Sequence, residues 1–381
     1  MKQYDYIFAG TGLATLLTVY ELLQRDYFNQ HRILLLDEVA KNSNDRTWCF
    51  WDAADTFSKI ASHQWDSIRF TNSNFSREMA LVPFQYRQIR SRDFYAFVFD
   101  FISQHSQVEV VLEKVISIAE SAAHAVVQTE TNQYQAQVVF NSILDWKELQ
   151  NQTKYPLLQQ HFVGWFIQSK EAVFNPQQAT FMDFSVEQKG NTRFMYVLPT
   201  SSNEALVEYT LFSKERLPKE EYAAEIQKYI QNLGISDYEI IEREQGSIPM
   251  SCFPFWKANS KHCIAIGSAG GWTKASTGFT FKNSTKKAKQ LVDYLEQKTH
   301  KPFQFNRKFW FYDLLLLDIL QDDNSQGSRI FSGIFRRANP QLILGFLDEE
   351  TSLWEDLQLI WHCPKRLFVK ALFKRVLGIR R

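Results

Sequence analysis

A glycine turn ten residues into the chain joins an apolar strand to an apolar helix, and it limits the fold more than any other feature of the sequence. Residues 4–9 (YDYIFA) predict a buried strand, and Gly10 and Gly12 form the turn. Residues 13–25 set Leu13, Leu16, Leu17, Tyr20 and Leu23 at helical spacing. A second apolar run, 32–36 (RILLL), ends at Asp37. Strand, helix and strand make a βαβ unit, which demands a right-handed crossover and a parallel sheet. Gly10 permits the sharp turn, and Gly12 lets a pyrophosphate approach the backbone. The helix opening at Leu13 and Ala14 offers free N–H groups and a positive dipole end to phosphates. Asp37 stands where a carboxylate can accept hydrogen bonds from a ribose. Thr15 holds the third glycine position of G-x-G-x-x-G, so the pattern is incomplete. A glycine turn in an ordinary α/β fold is the competing reading, and the motif alone does not choose FAD over NAD.

A second glycine-rich stretch, IAIGSAGGWTKASTGFTF (264–281), bears on that choice. A short strand (263–266) leads into Gly267, Gly270 and Gly271, and Thr277 and Gly278 lead into a helix predicted over 282–297. Peptide N–H groups of 277–281, Phe279 among them, can face a flat ring at that helix N-terminus, where the dipole would stabilise an anionic reduced flavin. Two such segments at opposite ends of a chain are typical of FAD folds. Between them, from about 80 to 240, strand-like runs dominate (107–118, 125–130, 135–145, 161–169, 194–199 and 205–213), with one helix near 219–233. These predict an antiparallel layer inserted into the first domain. Residues 305–381 read as mostly helical. The division expected is an FAD-binding domain at 1–80, 125–150 and 240–300, an inserted substrate domain at 81–124 and 151–239, and a helical region at 301–381.

Aromatic residues make up 15% of the chain, with 32 Phe, 15 Tyr and 10 Trp, enough for either a large core or a cavity for a long apolar ligand. A net charge of +1 gives no case for nucleic acid as a partner. Cys49, Cys252, Cys263 and Cys363 fit no zinc spacing, and no metal site is expected. The N-terminus lacks the order of a signal peptide, and no apolar run approaches the ~20 residues of a membrane span. A cytoplasmic protein with free thiols is the expectation.

Four segments together resemble the bacterial lycopene β-cyclase family: DYIFAGTGLAT (5–15), DRTWCFW (45–51), FMYVLPTSSNEALVEYTLFS (194–213) and GSAGGWTKASTGFTF (267–281). QGSIPM (245–250) and the tail RIFSGIFRRANPQLILGFLDEETSLWEDL (329–357) also fit. The resemblance implies a Rossmann-like FAD-binding domain with an inserted β-rich substrate domain and a helical C-terminal region. It implies reduced FAD, with NAD(P)H as the electron donor for its reduction, and peripheral association with the cytoplasmic membrane that holds the substrate. The implied reaction is redox-neutral: the ψ-ends of lycopene close to β-ionone rings, through γ-carotene to β-carotene. The sequence departs from the family at Asn141 and Ile143, where many relatives carry an Asp and an Arg. Tyr209 stands where many have a second acid, so a paired-carboxylate mechanism is not expected.

Cyclisation needs a proton for an isolated alkene, and burial in an apolar pocket keeps a carboxyl protonated. Glu208 is the candidate acid: strand alternation sets Leu206, Glu208, Thr210 and Phe212 on one face. Trp48, Tyr196 and Phe279 are candidates to stabilise the cation, and packing is the equal alternative for each. Arg46 is a candidate phosphate partner or an ordinary surface arginine. Glu349 and Glu350 mimic an acidic motif of plant cyclases, but 348–355 reads as a charged helix start with Asp348 near the N-cap. The basic tail 365–381 can form an amphipathic helix against an anionic membrane, or pack on the body. A flavin-dependent isoprenoid reductase or hydroxylase, and a prenyl-binding escort on the same fold, are the rival readings.

Overall fold

The computed structural model describes residues 2–54, 56–297 and 307–378. Strand Lys2–Ala9 lies at the centre of a seven-stranded sheet, between Ile33–Asp37 and Gln133–Asn141, both parallel to it. Helix Leu13–Leu23 crosses between the first two strands, as the turn at Gly10 requires. Its Leu16, Val19 and Leu22 are fully buried against helix Phe281–Gln297, through Leu291 and Val292, and against helix Ser91–Ser103. Strand Cys263–Ala265 pairs in parallel with 139–141 and so brings the second glycine loop beside the first.

The β-rich layer is a second seven-stranded sheet. Its order is Tyr238–Met250, Leu158–Ser169, Glu204–Ser213, Thr192–Pro199, Gln178–Phe184, Ser67–Asn72 and Phe75–Ala80. Helix Lys219–Asn232 covers one face, burying Val207, Tyr209 and Leu211 against Tyr222, Ile226 and Ile230. The other face packs Leu206, Phe212, Phe181 and Phe184 against the C-terminal helices through Leu314, Leu317, Phe331 and Phe335. A small sheet of Thr47–Asp52, Gln85–Arg90 and His63–Trp65 joins the two layers. This is the expected class: a Rossmann-like α/β domain, a β-rich layer and a helical C-terminal region.

The division of the chain differs from the expected boundaries. Residues 91–124 do not join the inserted layer. Helix Ser91–Ser103 buries Phe94, Tyr95, Val98 and Ile102 in the first core, and Val108–Leu112 adds a parallel strand beside Ile33–Asp37. The run DFYAFVFDFI is the helix of that second crossover, and its apolar face explains why it stays with the first sheet. Conversely, 67–80 and 238–250 belong to the second sheet. The boundary expected at 300/301 lies outside the described residues.

The C-terminal region is helical from Arg307–Asp322 to Lys365–Val376. Asp348 does not start a helix. It is the C-cap of Pro340–Leu347, and Ser352 caps the next helix, Leu353–Ile360, in a reciprocal box with Glu355. Asp348 instead accepts from Trp51 Nε1 (2.7 Å) and pairs with Lys282, while Glu349 and Glu350 pair with Lys274 and Lys286. Residues 379–381 of the basic tail lie outside the described residues.

Candidate active site

A cavity of about 420 Å³ is lined by the second large sheet, the small sheet, the loops at the strand ends of the first sheet and the second glycine loop. Gly12, Leu13, Ala14, Ser142 and Gly267 form its nucleotide end, and Lys41 and Arg46 its mouth. Trp48, Tyr86, Tyr196, Glu208 and Glu244 line it further in, with Thr277, Gly278 and Phe279 opposite. The predicted site residues thus meet in one place, apart from Gly10, Asp37, Gly270 and Gly271, which act from behind.

Gly10 adopts φ +88°, and a Cβ there would stand 2.4 Å from Ser142 Oγ. That hydroxyl donates to the Ala9 carbonyl (2.8 Å), locking the turn. Thr15, at the third glycine position, is fully buried and donates its hydroxyl to the Gly10 carbonyl (2.7 Å), so the departure from the motif is absorbed within the turn. Gly12 caps the helix with no side-chain hydrogen bond, leaving the first N–H groups free for an anion. Asp37 Oδ2 accepts from the Thr11 N–H (2.7 Å) and hydroxyl (2.8 Å). Burial opposes ionisation of Asp37, but these bonds, Val39 N–H and the Lys41 ammonium hold its carboxyl below the usual range. Asp37 therefore shapes the turn. Lys41, which sequence reasoning missed, shares the cavity mouth with the exposed Arg46, whose guanidinium donates to the Asp45 carbonyl (2.6 Å).

In the second loop, a Cβ on Gly270 would lie 2.3 Å from the Ala265 carbonyl oxygen, and Gly271 turns with φ +66°. Both set the path of the loop rather than its face to the cavity. Gly278 (φ +73°) crosses Gln160 so closely that a Cβ would meet Gln160 Oε1 at 2.2 Å. Gln160 Oε1 and Thr277 Oγ1 are buried with no hydrogen-bond partner among the described residues. Hydroxyls of Ser268, Thr273, Thr280 and Ser284 run alongside. Free N–H groups at one end, unsatisfied polar atoms at the other and a glycine-thinned wall fit a dinucleotide with a flat polar ring. At 141–143, Asn141 Oδ1 accepts from the Ile143 N–H (2.9 Å) and Ile143 faces outward, leaving Ser142 as the residue that lines the cavity.

Glu208 lies on the cavity face of Glu204–Ser213, only 8% exposed, with Leu206, Thr210 and Phe212 as the alternation predicts. Tyr209 points to the opposite face and accepts from Arg193 (2.9 Å). A second carboxyl is nonetheless present, correcting the expectation drawn from Tyr209. Gly164 is the cross-strand partner of Glu208 on one side and of Glu244 on the other. Strands on either side of a central strand stand roughly 10 Å apart, at ~4.8 Å per step. Because Gly164 has no side chain, the two glutamates approach each other over it, and each raises or lowers the other's ionisation. A Cβ at 164 would lie 2.7 Å from Leu206 Cδ1, 3.1 Å from Glu244 Cγ and 3.4 Å from Glu208 Cβ. Thr210 Oγ1 donates to Glu208 (2.7 Å) and Thr47 Oγ1 to Glu244 (2.6 Å).

Burial pushes the Glu208 carboxyl well above its ordinary 4.5, and the Glu244 carboxylate adds to the shift. Glu244 is also raised by burial, but the bonds from Thr47 and Glu208 oppose this. Trp48 packs edge-on against Phe94 and Tyr95, Tyr196 edge-on against Phe181 and Phe194, and Phe279 edge-on against Trp51 at 4.9 Å. All three still line the cavity, so packing and cavity-lining are combined in each.

Among solved structures, a geranylgeranyl bacteriochlorophyll reductase-like protein from Thermoplasma acidophilum is similar over 97% of this chain and 98% of its own, with TM-score 0.63 and 11% identity. A flavoprotein/dehydrogenase from Cytophaga hutchinsonii aligns over 100% of both chains, with TM-score 0.65 and 10% identity. At these identities the likeness concerns the fold. In sequence, the lycopene beta-cyclase of Pantoea ananas is 23% identical, covering 96% of this chain and 90% of its own. That of Paracoccus sp. (strain N81106 / MBIC 01143) is 24% identical, covering 73% of this chain and 70% of its own. The family model described as lycopene cyclase protein matches residues 5–373, from the first strand to the last helix, and the chain belongs to the lycopene cyclase family.

Proposed function

We propose that this protein is a lycopene β-cyclase that binds FAD and uses Glu208 to protonate the ψ-ends of lycopene, closing them to β-ionone rings. The observation that carries the reading is a carboxyl buried in the wall of a largely apolar cavity that the 277–281 loop also lines, where burial favours its protonated form. Glu208 gives its proton to the terminal double bond, and the internal double bond attacks the resulting tertiary cation. A ring proton then leaves, so the sum is an isomerisation. Trp48, Tyr196 and Phe279 turn π density toward the cation, worth ~0.5–2 kcal/mol each. The apolar wall excludes water that would quench the cation.

Gly12, Leu13 and Ala14 hold the pyrophosphate through backbone N–H groups, with Arg46 and Lys41 as counter-charges. Thr277, Gly278 and Gln160 hold the ring system. Bound there in its reduced form, FAD would supply electron density that stabilises a cation in the same cavity. NAD(P)H is the proposed source of the electrons, used in catalytic amount.

The substrate is a water-insoluble hydrocarbon, and the C-terminal helices offer a surface suited to a membrane. Trp354, Leu357 and Trp361 on helix Leu353–Ile360 and its C-cap are 69%, 58% and 70% exposed. Helix Lys365–Val376 docks on the body through Leu367, Phe368, Ala371 and the Arg375–Asp318 pair, leaving Val369, Phe373 and Val376 outward among its lysines and arginines. Among the described residues no helix is long and apolar enough to cross a membrane. Peripheral attachment to the cytoplasmic face of the membrane is the arrangement proposed.

The test is expression in lycopene-accumulating bacteria with pigment analysis. The wild type is expected to yield β-carotene. Glu208→Gln is expected to bind flavin normally and to lose ring formation by at least ~100-fold. Near-normal β-carotene from that variant would remove Glu208 as the acid.

A further inference from the structure

The proposed reaction releases a proton as well as consuming one, and the second carboxyl of the pair has the position to receive it. Resting on the reading of Glu208 as acid, we infer that Glu244 is the catalytic base: it shares one proton with Glu208 and takes back the proton lost when the ring double bond forms.

The geometry is built for a one-proton pair. The two carboxyls flank the bare Gly164 and line one cavity, and each is tied by a threonine hydroxyl, Thr210 for Glu208 and Thr47 for Glu244. Like charges in contact in a dry site do not both ionise at rest. Around them stand Cys49 on the Thr47 strand, Tyr86 and Arg90 on the neighbouring strand, Tyr196 on the next strand of the second sheet, and Glu242 two residues away. Arg90 pairs with Glu242, and its charge also favours the ionised form of Glu244, in keeping with Glu244 as the member of the pair that receives a proton. The central strand contributes only Gly164 and Phe162, whose ring lies over Gly246.

In the first step the π electrons of the terminal alkene form a C–H bond with the Glu208 proton, leaving two carboxylates beside a carbocation. The internal double bond closes the ring and moves the positive charge to a ring carbon. The electrons of an adjacent C–H bond then form the ring double bond, and that proton passes to Glu244. Transfer from Glu244 to Glu208 restores the starting state. One proton enters and one leaves, with no oxidant or reductant consumed. The same pair of charges stabilises the cation, which a single carboxylate would do less well.

The experiment uses full-length protein reconstituted with reduced FAD and lycopene in phosphatidylcholine–phosphatidylglycerol vesicles, with the cyclisation rate followed against pH. The acid limb and alkaline limb report the macroscopic ionisations of the pair. Glu244→Gln removes the like charge, so the alkaline limb is expected at least one pH unit lower, with a rate at least ~100-fold below wild type. Flavin absorbance and lycopene binding should be unchanged. Gly164→Ala keeps both acids but wedges a methyl between them, and serves if Glu244→Gln does not fold. It should lower the same limb and cost at least ~10-fold. An unshifted limb with a rate within threefold of wild type in a folded variant overturns the inference. If wild type itself makes no ring, the proposed function fails. If Glu208→Gln is dead while Glu244→Gln is normal, only the role of Glu244 falls.

Discussion

Glu208 carries a stability cost that can be read independently of its chemistry. Its pKa is raised by folding, so the folded state holds its proton more tightly than the unfolded state does. Its contribution is complete below about 4.5, the ordinary value, and is lost as pH rises toward the folded one. Glu208→Gln keeps a donor for Glu244 and removes this penalty. The variant is therefore expected to melt several degrees above wild type at pH 7–8, with the gain vanishing near pH 4, as checked by thermal unfolding across pH. A gain independent of pH would contradict the burial of the ionisable group. At this scale Glu208 was legible because strand alternation set it between Leu206 and Phe212. Glu244 was not. It sits in the run Glu242-Arg243-Glu244-Gln245, which reads as a solvated charged segment, and its burial comes from the tertiary approach of Gly164 and Thr47.

The elements most exposed in the sequence were the first βαβ unit and the second glycine loop, because turn chemistry and hydrophobic period agree there. The elements that escaped were those whose sheet is chosen by distant partners. Helix Ser91–Ser103 has a clear apolar face, yet only its docking on Leu13–Leu23 assigns it and the strand after it to the first sheet. Strand Tyr238–Met250 is an edge strand, alternately exposed along most of its length, so it lacks the apolar pattern of a core strand. The loop leading to Thr277 is held from below. Lys274, 1% exposed, pairs with Asp313 at 3.1 Å and with Glu349 at 3.4 Å, and Ser276 donates to Asp313 at 2.7 Å. Removing Asp313 leaves the buried Lys274 ammonium with only the more distant, partly exposed Glu349 to offset its charge. Asp313→Asn is expected to destabilise the protein by about 3 kcal/mol, seen in urea unfolding, and to weaken flavin retention because the loop loses its anchor in helix Arg307–Asp322.

For the molecule as a whole, the C-terminal helices connect the β-rich layer to a surface with exposed tryptophans. If that surface meets the membrane, replacing Trp354 and Trp361 together with Ala should lower affinity for anionic vesicles by at least ~10-fold, given ~1.5–3 kcal/mol for burying one large apolar side chain. Cosedimentation measures this, and turnover of substrate dispersed in detergent should be unaffected. Unchanged vesicle binding would assign attachment to another face. The class of fold and the meeting of both glycine loops were readable from the chain because local signals suffice for them. The cavity was not, since it arises where the β-rich layer and the small sheet close over the loops of the first domain. Gly164 has a consequence of its own. A bare position in the middle of a strand would ordinarily be a flaw that drift could mend with any small residue. Here its emptiness admits two acids and the tip of Leu206, so a methyl at 164 has to be accommodated by all three neighbours, and only a shift of Leu206 together with the loss of a glutamate leaves room for it.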